Sequence, residues 1–140
     1  MLLRFAALGF SGVNLHGGGN GFYTPIAGAP STGFMRRPEY FGIRFGQSFA
    51  EATFLATKLT GATPHVTAYA LEHQRRRRVA ILNKHDAPVR VELPSPVGAH
   101  AMRLSGPALE SRQGTVFSDV WVARSRNVVV AGHTAMIYEL

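Results

Sequence analysis

The hydrophobic rhythm of this 140-residue chain changes near its middle. Up to about Leu59 the apolar positions recur at helical spacing or fall in loops, whereas beyond the breaker cluster TGATP, Thr60 to Pro64, they come in short runs separated by turn residues. In the first part, Leu2 to Leu8 predicts a helix ended by Gly9 and Gly12, and Val13 to Leu15 a short strand. Residues 20 to 37 are too rich in Gly, Pro, Ser and Thr to predict regular structure. Pro38 then opens a second helix, with Tyr40, Phe41, Phe45, Phe49 and Ala52 on one face through Leu55. So aromatic a face must be buried against something.

The second part predicts strands at Val66–Glu72, Arg78–Asn83, Val89–Leu93, His100–Leu104, Val120–Ala123, Asn127–Val130 and Ala135–Leu140. Within VRVEL, Val89, Val91 and Leu93 alternate with Arg90 and Glu92, as a sheet with one wet face requires. Strands of this length, with Gly, Pro, Asn and Asp between them, predict an antiparallel β-sandwich or barrel. The fold class is mainly β.

Composition narrows the chemistry. The length and a hydrophobic content of 46% suit one compact core rather than disorder. With no cysteine there is no disulfide, thiolate nucleophile or thiolate metal site, and cysteine usage is silent on location. The apolar run Phe5 to Phe10 is short for a signal peptide and no small-residue cleavage site follows it. No segment approaches the roughly 20 apolar residues that cross a bilayer as a helix, so a membrane partner is not expected.

The net charge of +7 attracts polyanions in general without choosing among nucleic acid, anionic lipid and acidic polysaccharide. The run Arg75 to Arg78 could hold sulfate or phosphate, but it reads better as an exposed hairpin between strands, with Arg78 already in the second. No aromatic residues interleave the arginines, so nucleic acid ranks last among partners. His65, His73, His85, His100 and His133 show no HExxH or i, i+4 pattern, so neither a metal nor a cofactor is expected. Neither a nucleophile elbow nor a P-loop is present. Trp121 reads as core or inter-sheet packing rather than a sugar platform.

The ordered motifs GVNLHGGG, YTPI, RPEYFGIRF, YAL, RVAILNK and AMIYEL resemble the C-terminal part of glycoside hydrolase family 79, which includes bacterial β-glucuronidases and heparanase-like enzymes. The resemblance covers nearly the whole chain. It implies that residues 1–59 are the end of a (β/α)8 barrel and residues 60–140 a C-terminal β-sandwich packed on its side. Met1 to Phe10 would be the tail of the seventh barrel helix, Gly12 to Leu15 the eighth strand, and Pro38 to Leu59 the last barrel helix. The glycine loop would then be an active-site rim, with His16, Gly17, Gly18, Gly19 and Tyr23 contacting the carboxylate of a glucuronide. Family 79 catalysis needs two glutamates on earlier barrel strands. The first acidic residue here is Glu39, within the RPEYFG motif, so no hydrolysis by this polypeptide alone is expected. The partners implied are the upstream catalytic barrel and, through it, a glucuronide-type carbohydrate. Cut off from that barrel, Phe41, Phe45 and Phe49 are expected to lose their packing partners. The alternative is a stand-alone module that binds acidic glycans through a basic face.

Overall fold

The computed structural model describes residues 1–15, 24–61 and 63–140. Among the described residues, two short helices and ten strands follow the order α1 (Leu2–Ala7), β1 (Ile26–Ala29), β2 (Gly33–Arg36), α2 (Pro38–Gln47), β3 (Thr53–Leu55), β4 (Val66–His73), β5 (Arg76–Asn83), β6 (Val89–Glu92), β7 (His100–Ser105), β8 (Val116–Trp121), β9 (Asn127–Val130) and β10 (Thr134–Glu139). All pairings are antiparallel. Among the described residues a six-stranded sheet runs β3-β4-β5-β10-β7-β8, while β6 pairs with β9 and β1 with β2 as separate two-stranded sheets.

The six-stranded sheet is covered on both faces. Alternate residues along each strand project to opposite sides, and the two sides collect separate cores. One side carries Val66, Val79, Ile81, Met136 and Tyr138, which meet Leu93, Val97, Val128 and Val130 from the β6-β9 layer. The other carries Leu71, Ala80, Ala135 and Ile137, which meet Leu3 of α1 together with Phe45 and Phe49 of α2 and the turn after it. The final strand lies at the centre, paired with β5 and with β7. Every residue from Thr134 to Tyr138 is buried, as a strand covered on both faces demands.

The strands expected beyond residue 60 are present, with one displaced: β8 occupies 116–121 rather than 120–123. In the earlier part three expectations are corrected. Val13 to Leu15 forms no strand. The stretch expected to be irregular contains the β1-β2 hairpin, whose three-residue loop is closed by a Thr32 amide bond to the Ala29 carbonyl at 3.0 Å. Gly33 (φ +78°) follows in the left-handed conformation typical of such loops. Finally, α2 ends at Gln47 instead of continuing to Leu55, because the chain turns back at Glu51 (φ +61°) and enters β3 against β4.

For Phe45 and Phe49, though not for the half-buried Phe41, the expectation that the aromatic face of α2 would lack partners is also overturned. Phe45 and Phe49 are 4% and 6% exposed, and the ring of Phe45 sits edge-on to Phe49 at 5.7 Å and to Phe117 of β8 at 6.1 Å. The sheet itself buries the face that the helix presents.

At one end of the sandwich, buried Asn83 ties three segments together. Its amide nitrogen donates to the carbonyls of Ala87 (2.9 Å), Val130 (3.1 Å) and Ala131 (3.0 Å), and its oxygen accepts from the His85 amide at 3.0 Å. The two-residue turn between β4 and β5 is formed by Gln74 (φ +49°) and Arg75 (φ +63°), both left-handed as this hairpin type requires.

Candidate functional site

The rim residues expected from the sequence, His16, Gly17, Gly18, Gly19 and Tyr23, lie outside the described residues. On one side of that stretch Leu15 lines a cavity; on the other Thr24 is almost wholly buried. The cavity, of about 630 Å³, lies between α1, α2 and the helix-side face of the sheet. Leu3, Phe5, Ile43, Tyr69 and Leu82 make it largely apolar, while Arg4, Glu39 and Lys84 line it as well. The space suits apolar packing, and its charged side chains form no ion pair with one another among the described residues.

Three of the eight acidic side chains are held in ion pairs with arginines, and a fourth is hydrogen-bonded to a histidine. Glu72 meets Arg77 at 3.0 Å, Glu139 meets Arg76 at 3.5 Å, Glu92 meets Arg126 at 3.5 Å, and Asp86 accepts from His133 Nε2 at 2.7 Å. The arginine run is therefore partly neutralised. Arg76 and Arg77 face carboxylates, and Arg78 donates to the Ser48 carbonyl at 3.4 Å, leaving Arg75 at the turn. All three lie within β5, so the hairpin loop is shorter than the sequence suggested. The rings of His65 and His85 approach to 5.9 Å, yet among the described residues no group of three His, Asp or Glu side chains is placed to hold a metal. No helix of the described residues is long and apolar enough to cross a membrane.

The structure corrects the expectation for Trp121. With β8 beginning at Val116, its alternation puts Trp121 on the same side as Phe117 and Asp119, the side that faces the helices. The short α2 covers Phe117 and stops before Trp121, whose indole is 76% exposed. It lies against the His100 ring of β7, with centroids 3.8 Å apart and planes tilted by 44°. Two residues back on the same face of β8, Asp119 lines a groove of about 340 Å³ together with Arg44, Gln47, Ser48, Met102 and Phe117, a groove that Trp121 and His100 do not themselves line. The guanidinium of Arg44 lies over the Phe117 ring at 5.8 Å. The alternation of V-F-S-D-V-W could have revealed this face had the strand been started four residues earlier.

No family model and no curated protein matches the sequence. Solved structures do match its shape. The chain superposes on the family 51 α-L-arabinofuranosidase from Thermotoga petrophila RKU-1 with a TM-score of 0.63 at 13% identity, over 84% of this chain and 31% of that one. For the arabinose complex of α-L-arabinofuranosidase from Thermotoga maritima the TM-score is 0.59 at 10% identity, over 84% and 31%. For a family 86 β-porphyranase from the human gut bacterium Bacteroides plebeius it is 0.57 at 12% identity, over 84% and 22%. The chain thus spans less than a third of each of these structures. Its fold is one that glycoside hydrolases carry as part of a longer polypeptide, and at these identities the likeness is one of fold alone.

Proposed function

We propose that this chain is the C-terminal, non-catalytic region of a family 79 type glycosidase, in which the sandwich packs on an upstream (β/α)8 barrel and residues 1–59 complete that barrel. In this reading Val13 to Leu15 becomes a barrel strand only when upstream strands supply its hydrogen-bond partners, and His16, Gly17, Gly18, Gly19 and Tyr23 furnish one rim loop toward a glucuronide.

The observation that carries the reading is the sheet covered by helices on one face and a small sheet on the other, an architecture shared with segments of longer glycosidases. Its exposed apolar side chains add weight. Leu8, Phe10, Ile26, Phe34 and Met35, all before α2, are 47 to 68% exposed, and a soluble surface seldom leaves so many large apolar groups uncovered in one segment. An upstream barrel would bury them, at roughly 1.5 to 3 kcal/mol for each side chain fully covered.

The test is the size and activity of the native product in its source cell, read by blotting with an antibody to the sandwich and by sequencing the coding frame upstream of Met1. The reading expects a product of several hundred residues that bears two catalytic glutamates and hydrolyses 4-nitrophenyl β-D-glucuronide. A long product that cleaves only the α-L-arabinofuranoside would reject family 79. A native product of 140 residues would reject the barrel altogether.

A further inference from the structure

We propose that the uncovered end of the helix-side sheet face is a carbohydrate-binding subsite, in which Trp121 and His100 stack a neutral pyranose ring while Asp119, Gln47 and Arg44 hold the hydroxyls of the adjoining ring. The inference goes beyond the family assignment and rests on that reading in one respect: the upstream barrel, which would meet the helix-side face through α1 and α2, must leave the end of that face at Trp121 open.

Three features converge. First, a tryptophan 76% exposed at the end of a well-paired strand forgoes the burial that usually accounts for such a side chain. Its flat apolar face is open to solvent, and the neighbouring imidazole 3.8 Å away limits the orientations the indole can adopt. A pyranose presents a matching face of C–H groups.

Second, Asp119 lies two residues from Trp121 on the same face of β8 and lines the adjacent groove, with Arg44 and Gln47 on the opposite wall from α2. Among the described residues, the side chains of Asp119 and Gln47 make no hydrogen bond or ion pair. Their donors and acceptors are therefore available to hydroxyl groups. Arg44 is held over Phe117, so its guanidinium is positioned before any ligand arrives. A volume of about 340 Å³ falls in the range of small-ligand sites, roughly 300 to 1,000 Å³.

Third, the groove carries one carboxylate and one guanidinium and so has no net charge, in contrast to the +7 of the chain as a whole. This balance selects an uncharged sugar, because a uronate stacked on Trp121 would sit beside Asp119 and meet like charge.

Trp121 is the sole tryptophan of the chain, so its emission reports on this site alone. The full chain is titrated with xylohexaose, cellohexaose and mannohexaose, with hexagalacturonate as the charged comparison, and affinities are measured by calorimetry. The expected result is a saturable change in Trp121 emission with at least one neutral hexasaccharide. Binding should weaken about tenfold or more in Trp121→Ala and severalfold in Asp119→Asn, with melting temperatures close to that of the parent. Four results would overturn the proposal: no binding of any neutral probe, binding indifferent to Trp121→Ala, binding of hexagalacturonate alone, or an emission already blue-shifted in a concentration-dependent way. The last would mean that a second copy of the chain covers the indole.

Discussion

Replacing Phe45 by Ala tests whether the sandwich supplies the helix with its own binding face. Phe45 is 4% exposed, and its ring meets those of Phe49 at 5.7 Å and Phe117 at 6.1 Å. Returning a buried aromatic to water forfeits about 1.5 to 3 kcal/mol. Each edge contact adds about 0.5 to 1.5 kcal/mol beyond area, and the cavity left behind adds more. The better helix propensity of Ala returns only about 0.5 kcal/mol, so the expected loss is about 3 to 4 kcal/mol. The control is Phe41→Ala. Phe41 is half-buried, with Tyr40 at 5.4 Å as its one aromatic neighbour among the described residues, and about 1 kcal/mol is expected there. Guanidinium titrations followed by far-ultraviolet circular dichroism and by Trp121 emission would read both variants. For a domain of this size the larger loss lowers the melting temperature by about 10 °C. A cost for Phe45→Ala below about 1 kcal/mol, or equal to that of Phe41→Ala, would refute the packing of α2 on the sheet.

Asn83→Ala removes four hydrogen bonds, of which the one to the buried Val130 carbonyl is the hardest for water to replace. A loss of about 2 to 4 kcal/mol is expected in the same titration, and Asn83→Asp, which cannot donate to the three carbonyls, should do no better. Burial pushes the Tyr138 hydroxyl up to about 12 from its ordinary value of 10.0. The unfolded chain releases this proton first, so stability holds below pH 10 and falls between pH 10 and 12 by about 3 kcal/mol. Denaturant midpoints measured at pH 8 and pH 11.5 should show the drop, and Tyr138→Phe should lack this part of it. Substituting Asn-Gly for Gln74-Arg75 relieves two left-handed non-glycine residues and should raise the unfolding free energy by about 1 to 2 kcal/mol; a neutral or lower value would mean that the turn has another conformation in solution.

Much of the secondary structure was present in the sequence because its cause is local. Val89 and Val91 alternate with Arg90 and Glu92, and this period of two fixes a strand and its buried side whatever lies nearby. The closing AMIY run is apolar at every position, which matches a central strand covered on both faces. Pro38 fixed the start of α2 through its ring, which tolerates the first helical turn and nothing deeper.

Other features depended on contacts between distant residues. The helical spacing from Tyr40 to Leu55 continues past Gln47, but pairing of Thr53–Leu55 with β4 draws the end of that segment into the sheet. Val13 to Leu15 has the residues of a strand but pairs with no strand among the described residues, so propensity alone does not form one. Trp121 shows the division most clearly. Its size alone suggested burial, whereas its exposure follows from the starting point of β8, its pairing with His100 across the sheet, and the length of α2 on the same face. The sequence by itself determined most strands of the second part and most of the residues they turn inward, since both follow from spacing along the chain. Only the tertiary structure decided which faces are covered and where a face stays open, because coverage is set by elements that meet in space after long intervals of sequence.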